Sequence, residues 1–132
     1  MQPTSPERTH TMETFELARH FMTVLEEGDV DKARACLQPD AKIWHNFDDV
    51  EQTVDENMAL LAWMTRKSQS RAYEITRLEE IPGGYLQQHI LTIENMQGAT
   101  MRMHACVLVR VRDGLIEHIE EYLDPAAVAK LS

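Results

Sequence analysis

The chain has only two cysteines among its 132 residues, Cys36 and Cys106, and each lies in an apolar stretch far from the other. This usage is typical of buried thiols and argues against a disulfide framework. The sequence also lacks the closely spaced Cys and His ligands of a structural zinc site. We therefore expect neither a bound metal nor an organic cofactor.

Positive charge is also scarce, because 13 Lys and Arg residues stand against 22 Asp and Glu, for a formal net charge of -9. Without a basic cluster to neutralise phosphates, we expect no nucleic-acid partner and no anionic membrane surface. No apolar run approaches the roughly 20 residues that cross a bilayer, and the first residues lack the apolar centre of a signal peptide. A cytoplasmic protein is expected.

The helical part of the sequence comes first. Residues 1–11 have no periodicity and predict a flexible tail, which leaves 12–132 for a single domain. Apolar residues then recur at helical spacing in three stretches, Met12–Glu27, Val30–Leu37 and Thr53–Arg66, with a short strand, Ala41–Asn46, before the third.

From Arg71 onward the hydrophobic period changes to two. The predicted strands are Arg71–Ile81, Tyr85–Asn95, Thr100–Arg112 and Leu115–Leu123, followed by a short helix, Ala126–Leu131. The turns fall at glycines, so the four strands form an antiparallel meander. The order of elements predicts an α+β domain in which about three N-terminal helices cover one face of a curved, cone-shaped antiparallel sheet.

The inner face of the sheet can be read from Thr100–Arg112, whose odd positions from Met101 to Val111 are all apolar. Its neighbours depend on loop length, because a two-residue loop pairs odd with even positions and a three-residue loop pairs odd with odd. Two three-residue loops would place residues of both neighbouring strands on the inner face. The following strand would contribute Leu115, Glu117, Ile119, Glu121 and Leu123, and the preceding strand would contribute Tyr85, Gln87, His89, Leu91 and Ile93. Ala105 would then lie between His89 and Glu121.

A histidine and a glutamate in one apolar pocket are suited to acid/base chemistry. Burial would raise the pKa of Glu121 and a nearby imidazolium would lower it, so His89 and Glu121 could exchange a proton near neutral pH. The alternative is a cross-strand pair on the surface, worth roughly a few tenths of a kcal/mol.

Further candidates lie on the first strand and the third helix. Trp44 and His45 alternate, so only one of them can face the pocket, the indole as an aromatic wall or the imidazole in catalysis. Asn46 could orient a water molecule or cap the following loop. The expected substrate-binding residues are Trp44, Gln87, Leu91, Met103, Ala105, Leu123, Met58 and Trp63. Together with Met22 and Met64, these methionines suit a small hydrophobic ligand, although core filling explains them equally.

Several segments, in this order, resemble the nuclear transport factor 2-like superfamily, also called SnoaL-like. They are Ile43-Trp44-His45-Asn46 followed by Val50-Glu51-Gln52-Thr53, then Gly83-Gly84, Gln87-Gln88-His89, and Asp113-Gly114-Leu115-Ile116 running into Glu120-Glu121-Tyr122-Leu123-Asp124. The resemblance implies a curved sheet and three helices around a cone-shaped pocket. It also implies a homodimer formed through the outer face of the sheet.

Two members of this superfamily give residue-level expectations. Beside limonene-1,2-epoxide hydrolase, Trp44 and Asn46 fall where that family has a tyrosine and an asparagine that hold the attacking water, and Glu121 falls on its second catalytic aspartate. Its Arg-x-Asp pair falls on Gln88 and Ile90, or on Gln87 and His89 after a shift of one residue, which the apolar pattern favours. Beside ketosteroid isomerase, the base falls near His45 or Asn46, and the tyrosine and protonated acid have no clear match.

These observations predict a small-molecule pocket protein that performs cofactor-free acid/base chemistry on a small hydrophobic substrate. The reaction would be isomerisation, cyclisation, dehydration or epoxide opening. His89 and Glu121 would exchange the proton, and Asn46 or Gln87 would orient the reacting oxygen. The competing expectation is a non-catalytic ligand-binding or assembly module with the same fold.

Overall fold

Three helices precede the long strands, and local sequence signals set their ends. In the computed structural model, which describes residues 6–129, the helices are α1 Pro6–Glu27, α2 Val30–Arg34 and α3 Val54–Arg66. Thr53 begins α3 with a capping box, since its hydroxyl accepts from the Glu56 backbone N–H and the Glu56 carboxylate accepts from the Thr53 N–H. The first helix begins at Pro6, so residues 6–11 are helical rather than part of the predicted tail, and residues 1–5 lie outside the described range.

Six strands form one sheet in the order β2-β1-β6-β5-β4-β3. They are β1 Leu37–His45, β2 Glu51–Thr53, β3 Ser68–Ile81, β4 Gly84–Asn95, β5 Thr100–Arg112 and β6 Leu115–Leu123. The predicted antiparallel meander of four long strands is confirmed as β3 to β6, and β1 adds to it in parallel beside β6. The short strand β2 was not predicted.

A short helix, α4 Ala126–Ala129, follows the last strand, and the rest of the helix predicted to reach Leu131 lies outside the described residues. Asp124 caps α4, because its Oδ1 accepts from the Ala126 backbone N–H at 3.0 Å. Among the helices within residues 6–129, none is long and apolar enough to span a membrane.

The predicted inner face of β5 is confirmed. Met101, Met103, Ala105, Val107 and Val109 are all buried, whereas Arg102, His104 and Arg110 are exposed on the outer face. Buried residues of α1 and α3 pack over this inner face, among them Phe21, Met22, Met58, Leu61 and Met64. The hydrophobic core therefore lies between the helices and one side of the sheet, as in other two-layer α+β domains.

The hairpin between β4 and β5 has the predicted three-residue loop. The Asn95 backbone N–H donates to the Ala99 carbonyl at 2.8 Å, and Gly98 takes the left-handed position with φ of 87°. Odd positions therefore face odd positions across this pair, with His89 opposite Ala105 and Gln87 opposite Val107. The prediction that Gln87 and His89 face inward, rather than Gln88 and Ile90, is confirmed.

The hairpin between β5 and β6 differs from the prediction. Its loop is the two-residue Asp113-Gly114 turn, in which both residues have positive φ, 53° and 77°. Arg112 therefore pairs with Leu115, and Ile116, not Leu115 or Glu117, is the buried residue near the turn. A bulge at Glu117 then restores odd-to-odd pairing, so Glu121 lies opposite Val107 and Leu123 lies opposite Ala105.

Candidate active site

A cavity of about 400 Å³ lies between the inner face of the sheet and the helices α1 and α3. Its walls are mostly apolar, with Phe21, Met22 and Met64 from the helices and Leu91, Met103 and Ile119 from the sheet. This volume lies within the usual range for small-molecule sites, and a mostly apolar wall with a few polar groups is typical of them.

Seven of the predicted site residues line this cavity: His45, Gln87, His89, Leu91, Met103, Glu121 and Leu123. The polar members come from β1, β4 and β6. The meander brings β4 near β6, and the parallel pairing places β1 beside β6. Register places them in two adjacent rows, with His45, Glu121, Val107 and Gln87 in one row and Leu123, Ala105 and His89 in the next. The candidate polar groups thus lie in two adjacent rows of an otherwise apolar cavity wall.

Five predicted site residues do not line the cavity, namely Trp44, Asn46, Met58, Trp63 and Ala105. Trp44 alternates with His45 and lies on the other side of β1, where its Nε1–H donates to Asp49 at 2.7 Å and its ring packs against Tyr122. The expected aromatic wall at Trp44 is therefore wrong.

Asn46 is exposed, and its Oδ1 accepts from the Leu123 backbone N–H at 2.9 Å, which ties the end of β1 to β6 rather than orienting a water in the cavity. Met58 is part of the hydrophobic core, Trp63 packs against that core, and Ala105 is buried on the inner face of β5. The expected pocket roles of these three residues are wrong, because none of them lines the cavity.

Glu121 has a different partner from the one predicted. His45 is buried, and its Nε2 lies 3.0 Å from Glu121 Oε1 across the parallel β1–β6 pair. The expected placement of Ala105 between His89 and Glu121 is wrong, because the shorter loop and the bulge at Glu117 each shift β6 by one residue and together put Val107 beside Glu121. The imidazole in contact with Glu121 therefore comes from β1, not from β4.

Opposing effects act on the His45 imidazole. Burial by itself would lower the pKa of His45, but the hydrogen bond to Glu121 and the charges of Glu121 and Asp48 outweigh it and raise the pKa above the ordinary 6.5. The Nδ1 atom is buried, without a hydrogen-bond partner among the described residues, and the Phe47 ring centroid lies 5.3 Å from the imidazole centroid. With Nε2 bound and Nδ1 covered, His45 can act on a ligand only through Glu121.

His89 has the opposite electrostatic environment. Burial lowers the pKa of His89, and the charge of Glu121 opposes this effect only in part. Its Nδ1 lies 2.8 Å from Nε2 of Gln87, and the Tyr73 ring packs edge-on against the imidazole with 5.4 Å between centroids. The imidazole of His89 is therefore neutral near pH 7 and held on both sides.

Two tyrosines of the cavity wall were not among the predicted site residues, although Tyr85 was predicted on the inner face of its strand. Tyr73 on β3 and Tyr85 on β4 both line the cavity, and burial is the main cause that raises the pKa of each above its ordinary value. Both hydroxyls stay protonated at neutral pH and can donate hydrogen bonds. Alternation in β4 carried the signal for Tyr85, which shares a face with Gln87, whereas the bulges in β3 conceal the inward face of Tyr73.

The chemical content of the site is a carboxylate, a neutral imidazole and phenolic hydroxyls in an apolar cup. Such a set can take a proton from a bound molecule and donate a hydrogen bond to its oxygen. Among residues 6–129 no group of three or more His, Cys, Asp and Glu side chains is arranged to hold a metal ion.

Comparison with known proteins supports the fold. The sequence profile of the SnoaL-like domain family matches residues 18–119. No curated protein matches the sequence significantly. Among solved structures, PrhC from Penicillium brasilianum superimposes with a TM-score of 0.80 at 13% identity, over 92% of this chain and 86% of that one.

Two further structures have the same architecture. An LEH-like epoxide hydrolase from M. tuberculosis has a TM-score of 0.75 at 20% identity, over 92% of this chain and 90% of that one. An NTF2-like protein from Burkholderia pseudomallei has a TM-score of 0.74 at 14% identity, over 90% and 96% of the two chains. At these identities the similarity establishes the nuclear transport factor 2-like fold and not an activity.

Proposed function

Because this chain belongs to the SnoaL-like domain family, whose fold is shared with enzymes such as the epoxide hydrolase above, we propose that it is a cofactor-independent acid/base enzyme. Its substrate would be a small, largely apolar molecule that fits the cavity of about 400 Å³. Membership of this family supports the proposal of a small-molecule pocket. The residues that line the cavity support the proposal of acid/base chemistry.

One observation carries the proposal. Glu121 projects from an apolar wall with a side chain that is 21% exposed, and the buried His45 holds one of its oxygens at 3.0 Å. A carboxylate in such surroundings is costly unless it is paired, and His45 is its partner. The bond to His45 leaves Oε2 of Glu121 for a ligand, and it fixes the direction in which the carboxylate points.

The second polar group of the cavity lies across the sheet from the first. His89 is two strands and two residues away from Glu121, so their Cα atoms are separated by about 12 Å from strand geometry. Both side chains project inward over Val107 and Ala105. A small molecule bound between them would contact the carboxylate with one atom and the imidazole with another.

The proposed chemistry is removal of a proton next to a carbonyl group. Glu121 takes the proton from carbon, the C–H electrons move toward the carbonyl oxygen, and the N–H of neutral His89 donates a hydrogen bond to that oxygen. Glu121 then returns the proton to a different carbon, which completes an isomerisation. In a cyclisation, the carbanion instead attacks a second carbonyl carbon of the same molecule, and the oxygen of that carbonyl takes the electrons and then the proton from Glu121. His45 keeps Glu121 in position, and Tyr73 and Tyr85 offer further donors along the wall.

Proton exchange tests this proposal without knowledge of the natural substrate. The protein is incubated in D₂O with a panel of small cyclic ketones and enones, and deuterium uptake at carbon is followed by mass spectrometry. We expect Glu121→Gln to reduce the exchange rate by about 10²- to 10⁴-fold, as expected for loss of a general base. The matched control is Glu120→Gln, because Glu120 lies next in sequence but on the outer face, where it accepts from the Tyr122 hydroxyl.

A different result would favour the non-catalytic alternative. If a ligand co-purifies with the protein, and neither exchange nor turnover occurs with it or with the panel, the chain is a binding module. Unchanged ligand affinity in both glutamine variants would agree with that outcome. Equal loss of exchange in Glu120→Gln and Glu121→Gln would instead contradict the assignment of the base.

A further inference from the structure

Gln87 is the most deeply buried polar residue of the cavity wall. Its side chain is fully buried on the inner face of β4, between Tyr85 and His89. Its Nε2 lies 2.8 Å from Nδ1 of His89, whereas its Oε1 is buried without a hydrogen-bond partner among the described residues. A buried amide with only one hydrogen-bond partner costs free energy. The presence of glutamine at this position therefore calls for an explanation.

The direction of this bond decides where the proton of His89 lies. An amide nitrogen can only donate, so a Gln87 Nε2–H donating to Nδ1 requires an unprotonated Nδ1, and the imidazole proton must then be on Nε2. Turning the amide over would instead bury both of its N–H donors, and orphaned N–H groups are rarer in proteins than under-satisfied carbonyls. The observed orientation is therefore the favoured one.

We infer that Gln87 is a positioning residue that fixes His89 as the Nε2–H tautomer, so that this wall of the cavity selects molecules with a hydrogen-bond-accepting oxygen, such as a ketone. The catalytic role of this tautomer rests on the proposed function. The position of the proton on His89 does not, because it can be measured in the absence of substrate. The other groups that face His89 are Tyr73 on β3, which packs edge-on against the ring, and Glu121 on β6, whose charge acts on it.

Nitrogen NMR tests the tautomer directly. In ¹⁵N-labelled protein, the two ring nitrogens of His89 give separate protonated and unprotonated signals, and we expect the proton on Nε2 in the wild type. Gln87→Glu replaces the donor with an acceptor and should move the proton to Nδ1, whereas Gln87→Leu should leave a mixture. Gln88→Leu is the matched control, since Gln88 lies next on β4 but faces outward, and it should keep the wild-type pattern.

Ligand selection is tested with cyclohexanone and methylenecyclohexane, which have similar size but differ in the accepting oxygen. We expect cyclohexanone to shift the His89 Nε2–H signal of the wild type, and to do so less in Gln87→Leu. A wild-type proton on Nδ1, an unchanged tautomer in Gln87→Glu, or a response to cyclohexanone no larger than that to methylenecyclohexane would overturn the inference. Because the tautomer is read without substrate, the wild-type pattern with no deuterium exchange would refute the proposed function alone.

Discussion

At the scale of residues, the two inward-facing histidines differ because their neighbours differ. His45 contacts the carboxylate of Glu121, which raises its pKa despite burial, whereas His89 contacts an amide and a tyrosine ring, so burial prevails and lowers its pKa. The opposite pKa shifts therefore favour the protonated imidazole at residue 45 and the neutral imidazole at residue 89.

This contrast gives a pH dependence of stability. Protonated His45 stabilises the folded state fully below its unfolded pKa of about 6.5, and this contribution is lost as the pH rises through the higher folded pKa. We expect the free energy of unfolding of the wild type to exceed that of His45→Gln more at about pH 6 than at about pH 9. Urea denaturation at each pH measures the difference.

His89 provides the control of opposite sign. Its folded pKa is lowered, so neutral His89 stabilises the fold above the unfolded pKa, and this contribution is lost as the pH falls through the lower folded pKa. The wild-type advantage over His89→Gln should therefore shrink on acidification. If both histidine variants show the same trend with pH, the contrast between the two sites is wrong.

At the scale of elements, the bulge at Glu117 shapes the site more than any single side chain. Without it, the two-residue Asp113-Gly114 turn would pair odd positions of β5 with even positions of β6 throughout. Glu121 and Leu123 would then face outward with Tyr122 inside. One extra residue thus returns the carboxylate to the cavity.

A second element-level constraint is the close approach of β4 and β5 at Gly84. A Cβ at this position would lie 1.7 Å from the Val109 carbonyl oxygen, and the backbone of β5 cannot move without disturbing the cavity wall. We expect Gly84→Ala to lower the free energy of unfolding by about 1–3 kcal/mol, as at other overpacked sites. Chemical denaturation measures this loss.

Gly98→Asn is the matched control at the other end of the same hairpin. Gly98 has φ of 87° but open space where a Cβ would be, and asparagine tolerates the left-handed region. Its effect should stay within about 0.5 kcal/mol. Comparable losses in the two variants would contradict contact with β5 as the cause of the loss at residue 84.

At the scale of the whole molecule, the helices cover the inner face of the sheet, and within residues 6–129 no helix covers the outer face of β4 and β5. Leu86 pairs with Leu108 on this outer face, and both are only half-buried, as is Ile90 farther along β4. We propose that this face forms the predicted homodimer, in which a twofold axis brings the same patch of two copies together.

Sedimentation equilibrium checks the dimer. We expect the wild type to sediment as a dimer and Leu108→Glu to sediment as a folded monomer, because a charge at the centre of an apolar contact is not solvated. Gln97→Glu, at the exposed tip of the β4–β5 hairpin, should leave the dimer intact. A monomeric wild type would end this proposal.

The class of fold, the helix order and the inner face of β4 and β5 could be predicted from the amino-acid sequence. These features follow from hydrophobic periodicity and from the loop at Gly98, and both are local in the chain. Gln87, His89, Leu91 and Met103 could therefore be predicted as cavity residues.

Which polar groups contact one another in the cavity depends on how distant strands pair. The partner of Glu121 depends on a parallel pairing between β1 and β6, which are about 75 residues apart in the sequence. It also depends on the bulge at Glu117, which the hydrophobic periodicity does not predict. The sequence left open whether Trp44 or His45 faces the cavity for the same reason, since the buried face of an isolated strand is set by its neighbours. The cavity chemistry thus depends on long-range register, which local patterns do not encode.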